Sequence, residues 1–155
     1  MTRARAWLSM FAILLPAAGL PAAPASSQLS FSTSFAGVDT EGRSLWEGRV
    51  GQPAGGRLRL ALQQVEGPEA AADTVWHVRT QWKVEPASAA RSFVADMEGM
   101  VDWKAGTAHL SGVITSGWMK GTRVQGEVRF VEGDARGTLR MLKPSSERAS
   151  TIQLP

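Results

Sequence analysis

The chain has 155 residues, 17 Lys+Arg against 14 Asp+Glu, six tryptophans, and neither cysteine nor tyrosine. The missing cysteines exclude disulfides, thiol catalysis, thiolate metal sites and a lipid-carrying N-terminal cysteine. The basic balance shrinks on inspection: without Arg3 and Arg5, which stand in a removable leader, Lys+Arg falls from 17 to 15 and the net charge from +3 to +1. That is far from the concentrated basic face nucleic acid requires, so no nucleic-acid partner is expected.

The leader is MTRARAWLSMFAILLPAAGLPAAPA. Arg3 and Arg5 precede the apolar run Trp7 to Leu15, and Ala23-Pro24-Ala25 closes it with a small-x-small site. This order predicts a cleavable signal peptide over 1–25 and an exported product, periplasmic or extracellular, that begins at Ser26. The run is too short to span a bilayer, which takes roughly 20 apolar residues, and no transmembrane segment follows it.

From residue 26 onward, period-two alternation replaces any sustained helical period. QLSFSTSFAG puts Leu29, Phe31, Thr33 and Phe35 on one face, and SLWEGRVG does the same with Trp46, Gly48 and Val50. RLRLALQQV turns Leu58, Leu60 and Leu62 inward. TVWHVRTQWKV turns in Trp76, Val78, Thr80, Trp82 and Val84, with His77, Arg79, Gln81 and Lys83 on the other side. SFVADMEGMVDW follows with Phe93, Ala95, Met97, Gly99, Val101 and Trp103 inward and Asp96, Glu98 and Asp102 outward. Strands are predicted at 108–117, 122–132 and 136–142, then a loose tail from about 143 with a short closing segment, TIQL. Sequential hairpins with one apolar face predict a single all-β domain over 26–155, an up-and-down antiparallel barrel of about eight strands. A two-sheet sandwich is the alternative. A membrane barrel is excluded by the charges on its outward face.

Glycines stand where inward side chains belong. With KAGT (104–107) as a four-residue loop and WMK (118–120) as a three-residue loop, Gly99 falls opposite Gly112, and Gly112 opposite Gly126. With Gly133-Asp134 as a two-residue turn, Phe130 covers Gly137. Such a row either bends the wall of a small barrel or thins it, so that a flat ligand lies against bare backbone. The recurrence GMVD, GVIT, GEVR, GTLR follows hairpin spacing and is no solenoid.

The stretch from FVADMEGMVDW through LSGVITSGWMKGTRVQGEVRF to GTLRML (92–142) resembles uncharacterised exported bacterial β-barrel proteins. More distantly it is similar to the barrel of allene oxide cyclases and plant dirigent proteins. The resemblance implies an eight-stranded barrel that takes flat apolar or phenolic molecules inside it. It matches no functional residue one by one, and the absent tyrosine removes one way of hydrogen-bonding such ligands.

No chemistry is spelled out. His77 and His109 both point outward, so no metal site is predicted. No G-x-S-x-G elbow occurs, GGRLRL lacks the end of a phosphate loop, and no cofactor motif is present. Asp96, Glu98 and Asp102 share a face but are expected to form cross-strand ion pairs with bases such as Arg79 and Lys83. No catalytic residue is assigned. The candidate ligand-contacting residues are Trp76, Trp82, Phe93, Gly99, Trp103, Gly112 and Gly126 along the wall. Trp118, at a hairpin tip, is either a lid or a plug. The expected function is non-covalent binding of an apolar or aromatic small molecule in the barrel interior. The alternative is a closed-core interaction module of the envelope, with a ligand-shaping isomerase or cyclase third. Oligomeric state is left open.

Overall fold

A computed structural model describes residues 27–66 and 73–142. The predicted leader, the tail from 143 and the TIQL segment lie outside the described residues. The described chain forms one closed antiparallel up-and-down barrel of eight strands. In order they are β1 (Ser27–Val38), β2 (Ser44–Val50), β3 (Arg57–Gln64), β4 (Val75–Glu85), β5 (Phe93–Asp102), β6 (Thr107–Gly117), β7 (Arg123–Val131) and β8 (Asp134–Leu142). β1 pairs with β8 along its length, Ser27 to Met141 and Ser34 to Asp134, so no edge is left open. No helix among the described residues is long and apolar enough to cross a membrane. The outward face carries exposed Arg79, Asp96, Glu98 and Arg129.

The alternation sets the faces as expected. Leu58, Leu60, Leu62, Val78, Trp82, Val84, Ala95, Val101, Ile114, Val124, Leu139 and Met141 are all buried. Phe31 on β1 and Trp82 on β4 meet across the barrel with ring centroids 5.0 Å apart, edge to face, so side chains span the interior at that level. The indole N–H of Trp82 donates to Thr80 Oγ1 at 2.9 Å, and Thr80 donates in turn to the Met97 carbonyl at 3.3 Å. The buried polar groups of Trp82 and Thr80 are thereby satisfied.

The registers differ from expectation by two residues in each of the last three hairpins. Gly99 pairs with Leu110 and Met97 with Gly112; Gly126 pairs with Leu110 and Gly112 with Val124; Gly137 pairs with Val128 and Phe130 with Ala135. A shift of two keeps every side chain on its face while moving it one rung. The turns cause it. The first is Trp103–Gly106, closed by Asp102 Oδ1 accepting the Ala105 N–H at 2.8 Å. The last is Glu132-Gly133, both with positive φ (52° and 87°), the backbone of a type I′ hairpin. Phe35 keeps the expected alternation, opposite buried Trp46, but stands beyond the last β1–β8 pair at the barrel's end, where it is 50% exposed; the bulge of β1 follows it, between Phe35 and Gly37.

Strand directions alternate, so the barrel has two distinct ends. Residues 39–43, 65–66, 73–74, 103–106 and 132–133 gather at one, the aromatic end. Residues 51–56, 86–92 and 118–122 gather at the other with Ser27 and Leu142, the terminal end. Cross-loop hydrogen bonds tie each together: Trp103 N–H to Thr74 O (2.7 Å) and Phe130 N–H to Gly106 O (2.9 Å) at the first, Trp118 N–H to Ser92 O (2.9 Å) at the second.

Candidate functional site

The residues expected to line one wall do not share one space. Trp82 and Phe93 are buried in the core, at 0% and 2% exposure. The glycines do not form a row: each stands against a larger neighbour. A Cβ on Gly99 would overlap the His109 carbonyl oxygen, and one on Gly112 would overlap that of Asp96. The same holds for Gly48 against Ser32 and Gly137 against Glu127. These are places where adjacent backbones approach too closely for any side chain, the glycine kinks that let a small barrel close. Gly126 differs, because its Cβ would meet only side chains: Met97 Cε at 3.2 Å, Leu139 at 3.4 Å and Leu110 at 3.6 Å. An aromatic does cover a bare glycine, but it is Phe31 over Gly137, 3.1 Å from where a Cβ would sit, in place of the expected Phe130.

Trp76 and Trp103 belong to another assembly, one the sequence did not single out. Phe35, Trp46, Phe130, Trp103 and Trp76 form a continuous chain of rings across the aromatic end, with successive centroids 5.6, 5.5, 4.9 and 5.3 Å apart. They come from β1, β2, β7, the β5–β6 turn and β4, so barrel closure itself assembles them. Trp46 is buried at 6% exposure, while Trp76, Trp103 and Phe130 are half-buried. The Trp76 indole N–H donates to the Asp73 carbonyl at 2.8 Å. Those of Trp46 and Trp103 are buried with no hydrogen-bond acceptor among the described residues. A buried donor left unpaired costs about 1–3 kcal/mol, so two in one cluster call for an explanation. Around the rings, Phe35, Val38, Val65, Val75, Met100 and Val131 are exposed. Nearly all the large exposed apolar side chains thus stand at this end. The sequence signal was the inward parity of Trp46 together with Phe130; what hid the cluster was the unpredictable register that brings them together.

Trp118 is at the terminal end. Its half-buried indole lies 6.4 Å from the Phe93 ring, and the Arg91 guanidinium stacks 5.9 Å above it. The β6–β7 tip thus folds over the end of the core, with Met119 at φ 60° beside it.

The outer wall carries solvated chemistry. Glu98 receives both His77 (2.6 Å) and Arg79 (3.6 Å). Lys83 binds Glu85 on its own strand at 2.8 Å, not an acid of β5. Asp96 accepts from the Gln81 amide at 3.2 Å, and Asp102 caps its turn. A shallow outer groove of about 480 Å³ runs over Gln63, Arg79, Gln81, Asp96, Glu98 and Ser111. Among the described residues no three His, Asp or Glu side chains gather at metal-binding spacing.

Comparison with protein-family models, with curated proteins and with solved structures yields no match. The functional reading therefore rests on the geometry of this chain.

Proposed function

We propose that the protein is an exported binding module that takes a flat apolar or aromatic small molecule bearing a hydrogen-bond acceptor, seated at the aromatic end of the barrel. One observation carries the reading: a five-ring aromatic platform holds two buried indole N–H groups without acceptors among the described residues. Rings supply stacking area, and a carbonyl or ether oxygen entering between them would accept from Trp46 and Trp103, removing the penalty the free protein carries. Trp103 and Phe130 are packed at 4.9 Å with their planes tilted by 44°, so a ligand ring would enter by displacing one of these half-buried side chains. Binding needs no nucleophile, base or metal, in keeping with a site that presents none.

Titration of intrinsic tryptophan fluorescence with acetylnaphthalene, a flat ketone, tests this. Saturable quenching is expected in the wild type. Trp46→Phe and Trp103→Phe keep a ring but remove the N–H, and each should weaken binding about fivefold, the worth of one net hydrogen bond. Trp118→Phe, at the far end, should leave affinity unchanged. An affinity indifferent to both Trp46→Phe and Trp103→Phe contradicts the reading.

A second reading has its own support. The exposed Phe35, Val38, Val65, Val75, Met100 and Val131 form an apolar rim of the kind that marks a protein contact, as a closed-core envelope module would use.

A further inference from the structure

The two ends of the barrel differ in charge as well as in rings. At the terminal end, Arg49, Arg57, Arg91, Lys120, Arg123 and Arg140 are all exposed, and among the described residues none makes an ion pair. Glu85, an acid at this end, is held by Lys83 at 2.8 Å. At the aromatic end the balance reverses, with Asp39, Glu41, Glu66, Asp73, Glu132 and Asp134 outnumbering Arg43, Lys104, Arg129 and Arg136. A near-neutral protein has thus sorted its charge along the barrel axis.

One detail shows that the sorting opposes stability, and another that Arg91 is held by a ring in place of an acid. Arg49 and Arg57 are direct cross-strand partners, and like charges placed opposite one another destabilise a sheet. Arg91 is fixed over the Trp118 ring and not beside an acid. An arrangement that repels itself in the free protein is relieved by an anionic surface laid against it. At the same end Trp118 and Met119, half-buried against the core, keep their outer faces free and are flanked by Lys120 and Arg91. An indole set among Lys and Arg is the pattern that seats at the headgroup level of a bilayer.

We infer that the terminal end docks on an anionic lipid surface, with the basic ring against the headgroups and the Trp118-Met119 tip in the interface. The aromatic end then faces away from the membrane. This inference is independent of the small-molecule reading, since it involves the opposite end and different residues.

Vesicle co-sedimentation of the exported chain, from Ser26 onward, tests it. Vesicles of phosphatidylcholine with about 30 mol% phosphatidylglycerol should bind the protein, pure phosphatidylcholine should not, and about 0.5 M salt should release it. The triple variant Arg57→Gln, Lys120→Gln, Arg123→Gln should lower the partition coefficient about a hundredfold, roughly fivefold per cation. Trp118→Ala should weaken it further, and circular dichroism checks that each variant folds. A control, Glu41→Gln with Glu132→Gln at the other end, should bind no worse than wild type. Three results would overturn the proposal: equal binding to both vesicle types, binding indifferent to the triple variant, or capture by soluble polyphosphate that vesicles do not compete for. A salt-sensitive head-to-tail association of the chain with itself, found by sedimentation without lipid and abolished by the triple variant, would also replace it.

Discussion

Glycine positions that look alike in the sequence differ in kind in the structure. Gly112 faces backbone, so its replacement must push two strands apart, whereas Gly126 faces the flexible end of Met97. Gly112→Ala should therefore cost at least the upper part of the ~1–3 kcal/mol range for overpacking, as seen in thermal or denaturant melts. Gly126→Ala should be neutral to slightly stabilising, because the methyl fills a near-methyl-sized space and the unfolded chain loses freedom. Equal losses at both sites would show that the registers described here are wrong. The inward parity of both glycines was legible from alternation alone. Which of them meets backbone was not, because that depends on a rung, and a two-residue slip leaves the hydrophobic pattern unchanged.

At the level of elements, the loops set what the strands leave undetermined. Number and order of strands could be read from the punctuated alternation, and the closed barrel followed from their sequential pairing. The bulge that follows Phe35 could not be read, since it adds a residue without changing composition; Phe35 itself keeps its rung opposite Trp46. The β1–β2 loop is held by a side chain. Asp39 Oδ1 accepts the N–H groups of Glu41 and Arg43, each at 2.9 Å, and Oδ2 accepts from Arg43 Nε at 2.7 Å. The backbone hydrogen bond from Arg43, with its guanidinium and the Glu41 amide, holds the Asp39 carboxyl below its ordinary 3.8. A lowered folded value means that the carboxylate stabilises the loop fully above the ordinary value. The contribution is lost as pH falls through the lowered one. Hydrogen exchange should show the Glu41 and Arg43 amides protected near pH 7 and released below the ordinary carboxylate range. Asp39→Asn should release them already near pH 7. Protection that is unchanged in the variant would remove Asp39 from this role.

On the scale of the whole molecule, the interior and the two ends do different things. The core is spanned by Phe31 and Trp82 and stitched by the Trp82–Thr80–Met97 hydrogen bonds. At the aromatic end the Trp46 and Trp103 N–H groups have no acceptor among the described residues, and the proposed ligand would supply one. The terminal end, basic and tipped by Trp118, suits a surface. Export itself is checked by N-terminal sequencing of the secreted protein, which should begin at Ser26; a product that starts near Met1 and stays in the membrane fraction contradicts it. The excess of tryptophan was the feature of the sequence that pointed to binding, yet parity alone placed Trp46, Trp82 and Trp103 together. Only the closed barrel separates a core indole, satisfied by Thr80, from two at the mouth that are not.

That separation gives the most direct test. The indole N–H resonances of Trp46, Trp82 and Trp103 can be assigned from single Trp→Phe variants and followed while acetylnaphthalene is added. The account predicts that the Trp46 and Trp103 signals move together and saturate at one concentration, while the Trp82 signal stays where it is. Movement of the Trp82 resonance with the others would put the ligand inside the barrel, and no saturable movement of Trp46 or Trp103 would contradict a binding site at the aromatic end.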